Sequence, residues 1–335
     1  MLRHAMANLS AVPRYIEIAV NLGDPMFQGE YHGKKKHEGD LEHVIRRAEQ
    51  AGVSAQVITA GALTELPSVL QLTDMRSSFF CTAGCHPTHS SDMETYEGGP
   101  EAFVSRLQQY IQEHDRIVAV GECGLDYDRL HFASAETQKR CFDLQLQMAT
   151  KVRLPLFLHS RAAHKDFVDI LRPYLNSLRP PEIQTDKSSP GSVGVVHSFT
   201  GTAEELHELL DLGLYIGVNG CSLKTQENLD VVKRIPLHRI LLETDAPWCD
   251  IRPTHASAKY LDEFKAKERE LAAVYSPPRA KPEKWSPMTA VKGRCEPCQI
   301  GEVAAVVARI QGVSLATLAA HAYQNAVALF RLPVL

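Results

Sequence analysis

Short apolar runs alternate with amphipathic stretches along most of this chain. Tyr15 to Val20, Ala55 to Thr59, Phe79 to Ala83, Ile117 to Gly121, Leu154 to Leu158, Val193 to Val196, Leu214 to Val218 and Ile240 to Glu243 read as buried strands. Segments of helical period lie between them. Leu41, Val44, Ile45 and Ala48 share one face behind Asp40, which is expected to cap that helix, with Gly52 as its stop. Leu63 to Thr73, Glu101 to Glu113 and Ala135 to Lys151 also read as helices. Phe167, Ile170, Leu171 and Tyr174 fall at i, i+3, i+4 and i+7. Thr202 and Glu205 form a capping box before a helix expected to bury Leu206, Leu209 and Leu210 and to stop at Gly213. Glu302 to Ile310 and Ser314 to Phe330 close the chain as helices.

Strand and helix alternate about eight times, without an internal repeat or a linker between two cores. Such alternation demands a parallel sheet, and eight units predict an α/β fold, a TIM (β/α)8 barrel. Residues 15–335 are expected to form that single domain. Residues 1–14 are expected to be a flexible start rather than a transit peptide. Asn176 to Ser192, rich in Pro, Ser and charge, predicts a surface excursion. Arg252 to Arg294 is polar, carries Pro277, Pro278 and Pro282, and reads as an extended insertion after strand eight, an elaborated final loop.

Composition narrows the classes without choosing among them. The chain has 335 residues, 44% of them hydrophobic, enough for a large core. A net charge of −4 excludes a broadly basic nucleic-acid coat but allows a local basic groove. No apolar run approaches the ~20 residues of a membrane span, so no membrane partner is expected. The eight cysteines are scattered, several inside apolar runs, which fits reduced thiols in the cytoplasm or nucleus, and the short start of residues 1–14 makes a mitochondrial location the lesser expectation. Cys295 and Cys298 form a lone CxxC, half of what a structural zinc requires.

The chemistry sits at the strand ends. Val118-Ala-Val-Gly-Glu-Cys-Gly-Leu-Asp126 runs from an apolar strand into Glu122. The fifth strand ends in His159, the sixth in His197 and the eighth in Asp245. Singly, each reads as a hydrogen-bonded polar group at a loop start. Together they place four metal-ligand types at one rim of a barrel, the C-terminal rim where function gathers. Such a set suits two divalent ions, Mg²⁺ or Mn²⁺, with Zn²⁺ also fitting the two histidines. Glu122 can bridge both ions, leaving His159 and His197 to one and Asp245 to the other. Ions about 4 Å apart activate water and stabilise both oxygens of a phosphodiester displacement. His86, Arg161 and Lys224 face the same rim as candidate phosphate ligands. Tyr127 is a candidate base-stacking residue, Trp248 is expected to pack the loops, and Lys34-Lys-Lys36 could track a nucleic-acid backbone.

Gly121-Glu-Cys-Gly-Leu-Asp-Tyr127, Leu158-His-Ser-Arg161, His197-Ser-Phe-Thr-Gly201 and Leu242-Glu-Thr-Asp-Ala-Pro247 together resemble the TatD family of metal-dependent deoxyribonucleases. Gly84-Cys-His-Pro87 and Glu296-Pro297 also fit. Asn21-Leu-Gly-Asp-Pro-Met-Phe27 and Asn219-Gly-Cys-Ser-Leu-Lys224 look most like the eukaryotic branch. The resemblance spans Tyr15 to Phe330. It implies an amidohydrolase-like barrel that hydrolyses DNA, preferably single-stranded or frayed ends, by 3′→5′ exonuclease action, and it allows endonuclease action. It carries metal binding onto Glu122, His159, His197 and Asp245, makes Glu122 the bridge and Asp245 the proton acceptor from the attacking water, and gives His86, Arg161 and Lys224 the substrate phosphates.

One departure stands out. Many family members begin with a strand ending in H-x-H, where this chain has Ala19 and Asn21. The ion on the Asp245 side is therefore expected to bind more weakly than the histidine-bound one. Two other readings remain open at this point: a metal-dependent amide or ester hydrolase, such as an aminoacyl-tRNA deacylase, and a nucleic-acid-binding protein that has lost turnover. A monomer is expected.

Overall fold

The computed structural model describes residues 12–179 and 193–333. The expected flexible start falls mainly outside the described residues, as does most of the excursion at 176–192. All eight expected strands are present: β1 Tyr15–Val20, β2 Val53–Ile58, β3 Phe79–Ala83, β4 Ile117–Asp126, β5 Leu156–Arg161, β6 Gly194–Val196, β7 Tyr215–Val218 and β8 Ile240–Leu242. They form one sheet in chain order, and β3 to β7 pair in parallel. Val20, at the end of β1, bridges Ala246 just past β8, also in parallel. Helices intervene along the sheet, giving a TIM-barrel-like fold. By compactness the chain divides into residues 1–56 with 218–325 and residues 57–217 with 326–335. Two of the three boundaries fall inside a strand and the third inside the helix Leu315–Phe330.

In the 57–217 unit, β4 and β5 reach further than their apolar runs. The register pairs Gly124 with His159, Leu125 with Ser160 and Asp126 with Arg161, after a shift between Val120 and Cys123. Glu122 and His159 therefore lie within strands rather than beyond them. Two glycines permit this close pairing. A Cβ on Gly121 would stand 2.1 Å from the Phe157 carbonyl oxygen, and one on Gly124 would stand 1.9 Å from that of His159. The capping box of Thr202 and Glu205 is present, and Leu206 and Leu209 are buried beneath that helix. Leu210 is only half-buried.

In the other unit, Asp40 does not cap the helix Leu41–Gln50 with its side chain. Its carboxylate instead receives Arg294 Nη1 at 2.7 Å and Nη2 at 2.6 Å, with all three partners Asp40, Arg294 and Glu296 buried. Arg294 also reaches Glu296 at 2.8 Å, and Arg47 donates to Glu296 at 2.7 Å. A fully desolvated arginine outcompetes three backbone N–H groups for the carboxylate. The segment after β8 is more than a loop. It holds helices Ala258–Lys267 and Arg269–Tyr275 and a short parallel pairing of Arg279–Ala280 with Ala290–Val291. Tyr275 anchors it: buried, with its hydroxyl 3.0 Å from that of Tyr15.

Candidate metal centre

Within the 57–217 unit three histidines converge on one oxygen. His197 Nε2 lies 2.6 Å, His159 Nδ1 2.8 Å and His86 Nε2 3.4 Å from Glu122 Oε1. β4 supplies Glu122, β5 supplies His159, the residue after β6 is His197, and His86 follows β3 in the turn of Gly84-Cys-His-Pro87. Phe157 stacks on His197 at 4.8 Å between ring centres, and the His86 ring meets that of His159 edge-on at 4.6 Å. Ring contacts therefore help to orient the imidazoles.

A further acid belongs to this cluster. His159 Nε2 lies 3.1 Å from Asp126 Oδ2, and Asp126 is buried. Motif reading assigned Asp126 no role, because the fourth strand was expected to end at Gly121. Once β4 continues, the strand period of two puts residues 122, 124 and 126 on one face. Gln138 holds the Asp126 backbone by donating to its carbonyl at 3.0 Å and accepting from its N–H at 2.8 Å. Two ligand groupings result among the described residues: Glu122 with His159 and His197, and His86 with Asp126 and His159.

The electrostatics discriminate between them. Burial alone would raise the Glu122 pKa, but the electrostatic pull of His197 and His86 and hydrogen bonds from His159 and His197 outweigh it. The carboxyl is held well below its ordinary value. For His159, burial opposes charge, yet the hydrogen bonds to Asp126 and Glu122 prevail and its pKa is raised. Asp126 is lowered: burial opposes ionisation, and His159 overcomes it. His86 goes the other way, pushed down to about 3, chiefly by burial. Its Nδ1 accepts the Thr88 N–H at 3.1 Å, so the neutral ring carries its proton on Nε2. His86 thus presents a hydrogen-bond donor to this site, and Glu122, His159 and His197 form one candidate ligand grouping. Their fit to a cation is visible in the proton they gather: the cluster draws positive charge onto His159, where a divalent ion would replace it.

Arg161 ends β5, half-buried and two residues beyond His159, on the same strand face. The Tyr127 hydroxyl donates to Asp166 at 2.6 Å, which fixes the half-buried ring just beyond β4.

The remaining candidates belong to the other unit. Asp245 follows β8, half-buried, with φ 53°. Its N–H donates to the Ala19 carbonyl at 2.9 Å, its Oδ1 accepts Asn21 Nδ2 at 3.0 Å, and its Oδ2 lies 3.4 Å from Cys249 Sγ. Asn21 therefore steadies Asp245 as a donor. Lys224 is exposed beyond the turn Cys221–Leu223. Trp248 is 52% exposed, so it does not pack the loops as expected. Lys34 and Lys35 pair with Tyr31 and Glu30, while Lys36 meets Glu283 at 3.1 Å. Cys295 and Cys298 are buried thiols.

Residues 30–331 match the model of the TatD-related DNase family. The chain belongs to the TatD family. It is 41% identical over 317 residues to a deoxyribonuclease Tat-D of Schizosaccharomyces pombe, covering 94% of this chain and 95% of that one. It is 39% identical over 227 residues to a 3′-5′ ssDNA/RNA exonuclease TatD of Erwinia tasmaniensis, covering 66% and 80%. Among solved structures, an amidohydrolase from Saccharomyces cerevisiae superposes with a TM-score of 0.82 at 35% identity, over 95% of this chain and 99% of that one. A TatD barrel of the amidohydrolase kind thus carries the Glu122 cluster at the C-terminal ends of β3 to β6.

Proposed function

We propose that this TatD protein is a divalent-metal-dependent deoxyribonuclease that hydrolyses DNA phosphodiester bonds, working 3′→5′ on single-stranded or frayed ends and able to cut internally. The observation that carries the reading is the convergence of His159, His197 and His86 on Glu122 Oε1 in a chain of this family. Glu122, His159 and His197 would hold one ion and Asp245, by its motif, would serve a second, Mg²⁺ or Mn²⁺, with Zn²⁺ suited to the histidine side. Bound there, the ions supply an activated water and charge stabilisation at the phosphate.

The protein's own groups do the rest. Asp245 takes the proton of the attacking water on a carboxylate oxygen held in place by Asn21. His86 offers its Nε2–H to a phosphate oxygen and, with its pKa near 3, remains a neutral donor throughout the working range. Arg161 clamps a phosphate through two N–H groups, and Lys224 contributes a point charge. Tyr127 stacks on a base. The protein acts as a monomer in the cytoplasm or nucleus.

The test is digestion of end-labelled single-stranded oligonucleotides by protein stripped with a chelator and reloaded with Mg²⁺ or Mn²⁺. Metal-dependent loss of nucleotides from the 3′ end supports the reading. Absence of metal-dependent DNA hydrolysis, with turnover of ester or amide substrates instead, refutes it.

A further inference from the structure

Cys221 and Cys249 play no part in the scheme above, yet they are the chain's most closely apposed side chains of their kind. Their Sγ atoms lie 2.6 Å apart, closer than unbonded sulfurs pack and about half an ångström beyond the ~2.05 Å of a disulfide. The backbone holds them there. Cys221 opens the turn after β7 and donates its N–H to Asn219 Oδ1 at 2.9 Å. Cys249 lies past β8 with φ 53°. The two loops approach so closely that a Cβ on Gly220 would stand 1.9 Å from the Cys249 carbonyl oxygen. Both thiols are half-buried, whereas the other six cysteines are buried. Cys249 Sγ, moreover, is 3.4 Å from Asp245 Oδ2, as a thiol donor to that carboxylate.

We propose that Cys221 and Cys249 form a site of reversible oxidation, a disulfide pair whose state is felt at Asp245. The oxidant is a peroxide. One thiol is oxidised to a sulfenic acid with release of water; the other sulfur attacks it, forms the S–S bond and expels a second water. Two thiols and one H2O2 thus give one disulfide and two H2O. A dithiol reverses the change by exchange, taking up the bond as its own disulfide. Oxidation removes the S–H that Cys249 presents to Asp245 and ties the turn at 245–249 to the loop leading to Lys224. The pairing of the sulfurs stands on geometry alone. Its effect on DNA hydrolysis rests on the function proposed for Asp245.

The full-length protein, reduced and desalted, is titrated with hydrogen peroxide, its remaining thiols are alkylated, and peptides are mapped by mass. The expected result is a linked peptide pair joining Cys221 to Cys249, two hydrogens lighter than the free peptides and released by dithiothreitol. DNA hydrolysis falls in step with the linked fraction and returns on reduction. Cys221→Ser retains basal hydrolysis and resists the peroxide; Cys221→Ala serves if the serine protein is unstable. Full alkylation of both residues after peroxide overturns the pair. A quantitative link with unchanged hydrolysis overturns the coupling to Asp245. If the reduced protein cleaves no DNA at all, the functional reading fails, and the peptide map still decides the pair.

Discussion

His159 Nδ1 lies 2.8 Å from Glu122 Oε1, and the ring's other nitrogen faces Asp126. An imidazole gripped by two carboxylates holds a proton in the metal-free protein more tightly than a free histidine does. That proton must leave before a cation can bind.

Metal binding is therefore expected to release protons. The His159 pKa is raised above 6.5, so the apparent affinity for metal climbs as pH rises through that value and then levels off. Titration calorimetry in buffers of different ionisation enthalpy measures the release directly. Stability of the metal-free protein carries the opposite sign: the His159 contribution is fully present below its unfolded pKa of 6.5 and is lost as pH rises through the folded value.

Asp126 orients His159 and sustains its charge, as a carboxylate behind a metal-ligating histidine does. Asp126→Asn is expected to weaken metal affinity about 10- to 100-fold and to reduce the proton release. Equilibrium dialysis of the variant against Mn²⁺ checks this.

His86 predicts a different pattern. Its proposed role is donation to the phosphate rather than chelation, so His86→Ala should keep the metal content and raise KM for DNA. Its folded pKa near 3 lies below that of an unfolded histidine, so the unfolded chain binds the extra proton between about pH 6.5 and 3. Stability attributable to His86 is lost as pH falls through that window, and the alanine variant should show a shallower acid loss in denaturant midpoints.

The region around Asp40 tests stability rather than chemistry. Arg294 is fully buried between Asp40 and Glu296. Arg294→Ala leaves two buried carboxylates short of their main cation and is expected to cost about 3–5 kcal/mol. Chemical denaturation of the metal-free proteins measures it.

Much of this was legible in the chain, because apolar runs and helical faces are local. The eight strands, the Thr202 capping box, and the gathering of Glu122, His159 and His197 at the ends of neighbouring strands all follow from short-range patterns and motif spacing. What escaped depends on partners far away in sequence. Asp126 joined the site only because β4 pairs with β5 beyond Gly121, a matter of cross-strand register. Asp40 looked like a helix cap until Arg294, 254 residues on, claimed its carboxylate. The insertion after β8 carries enough proline and charge to read as loop, yet Tyr275 finds Tyr15 and folds two helices over it. Trp248, expected to pack the loops, stands exposed.

Asn21 bears on the Asp245 side of the proposed site. Its amide steadies Asp245, and a hydrogen bond to a charged group contributes about 1.5–3 kcal/mol. Asn21→Ala should therefore lower kcat by roughly tenfold or more, with KM little changed, in steady-state hydrolysis of a labelled oligonucleotide.

The central claim is that Glu122 is the point on which metal and catalysis depend. Its most direct test is the metal content of Glu122→Ala beside the native protein after identical reloading, with DNA hydrolysis measured on the same samples. Loss of bound metal together with loss of hydrolysis is the predicted result. A variant that retains native metal content and native metal-dependent hydrolysis would contradict it.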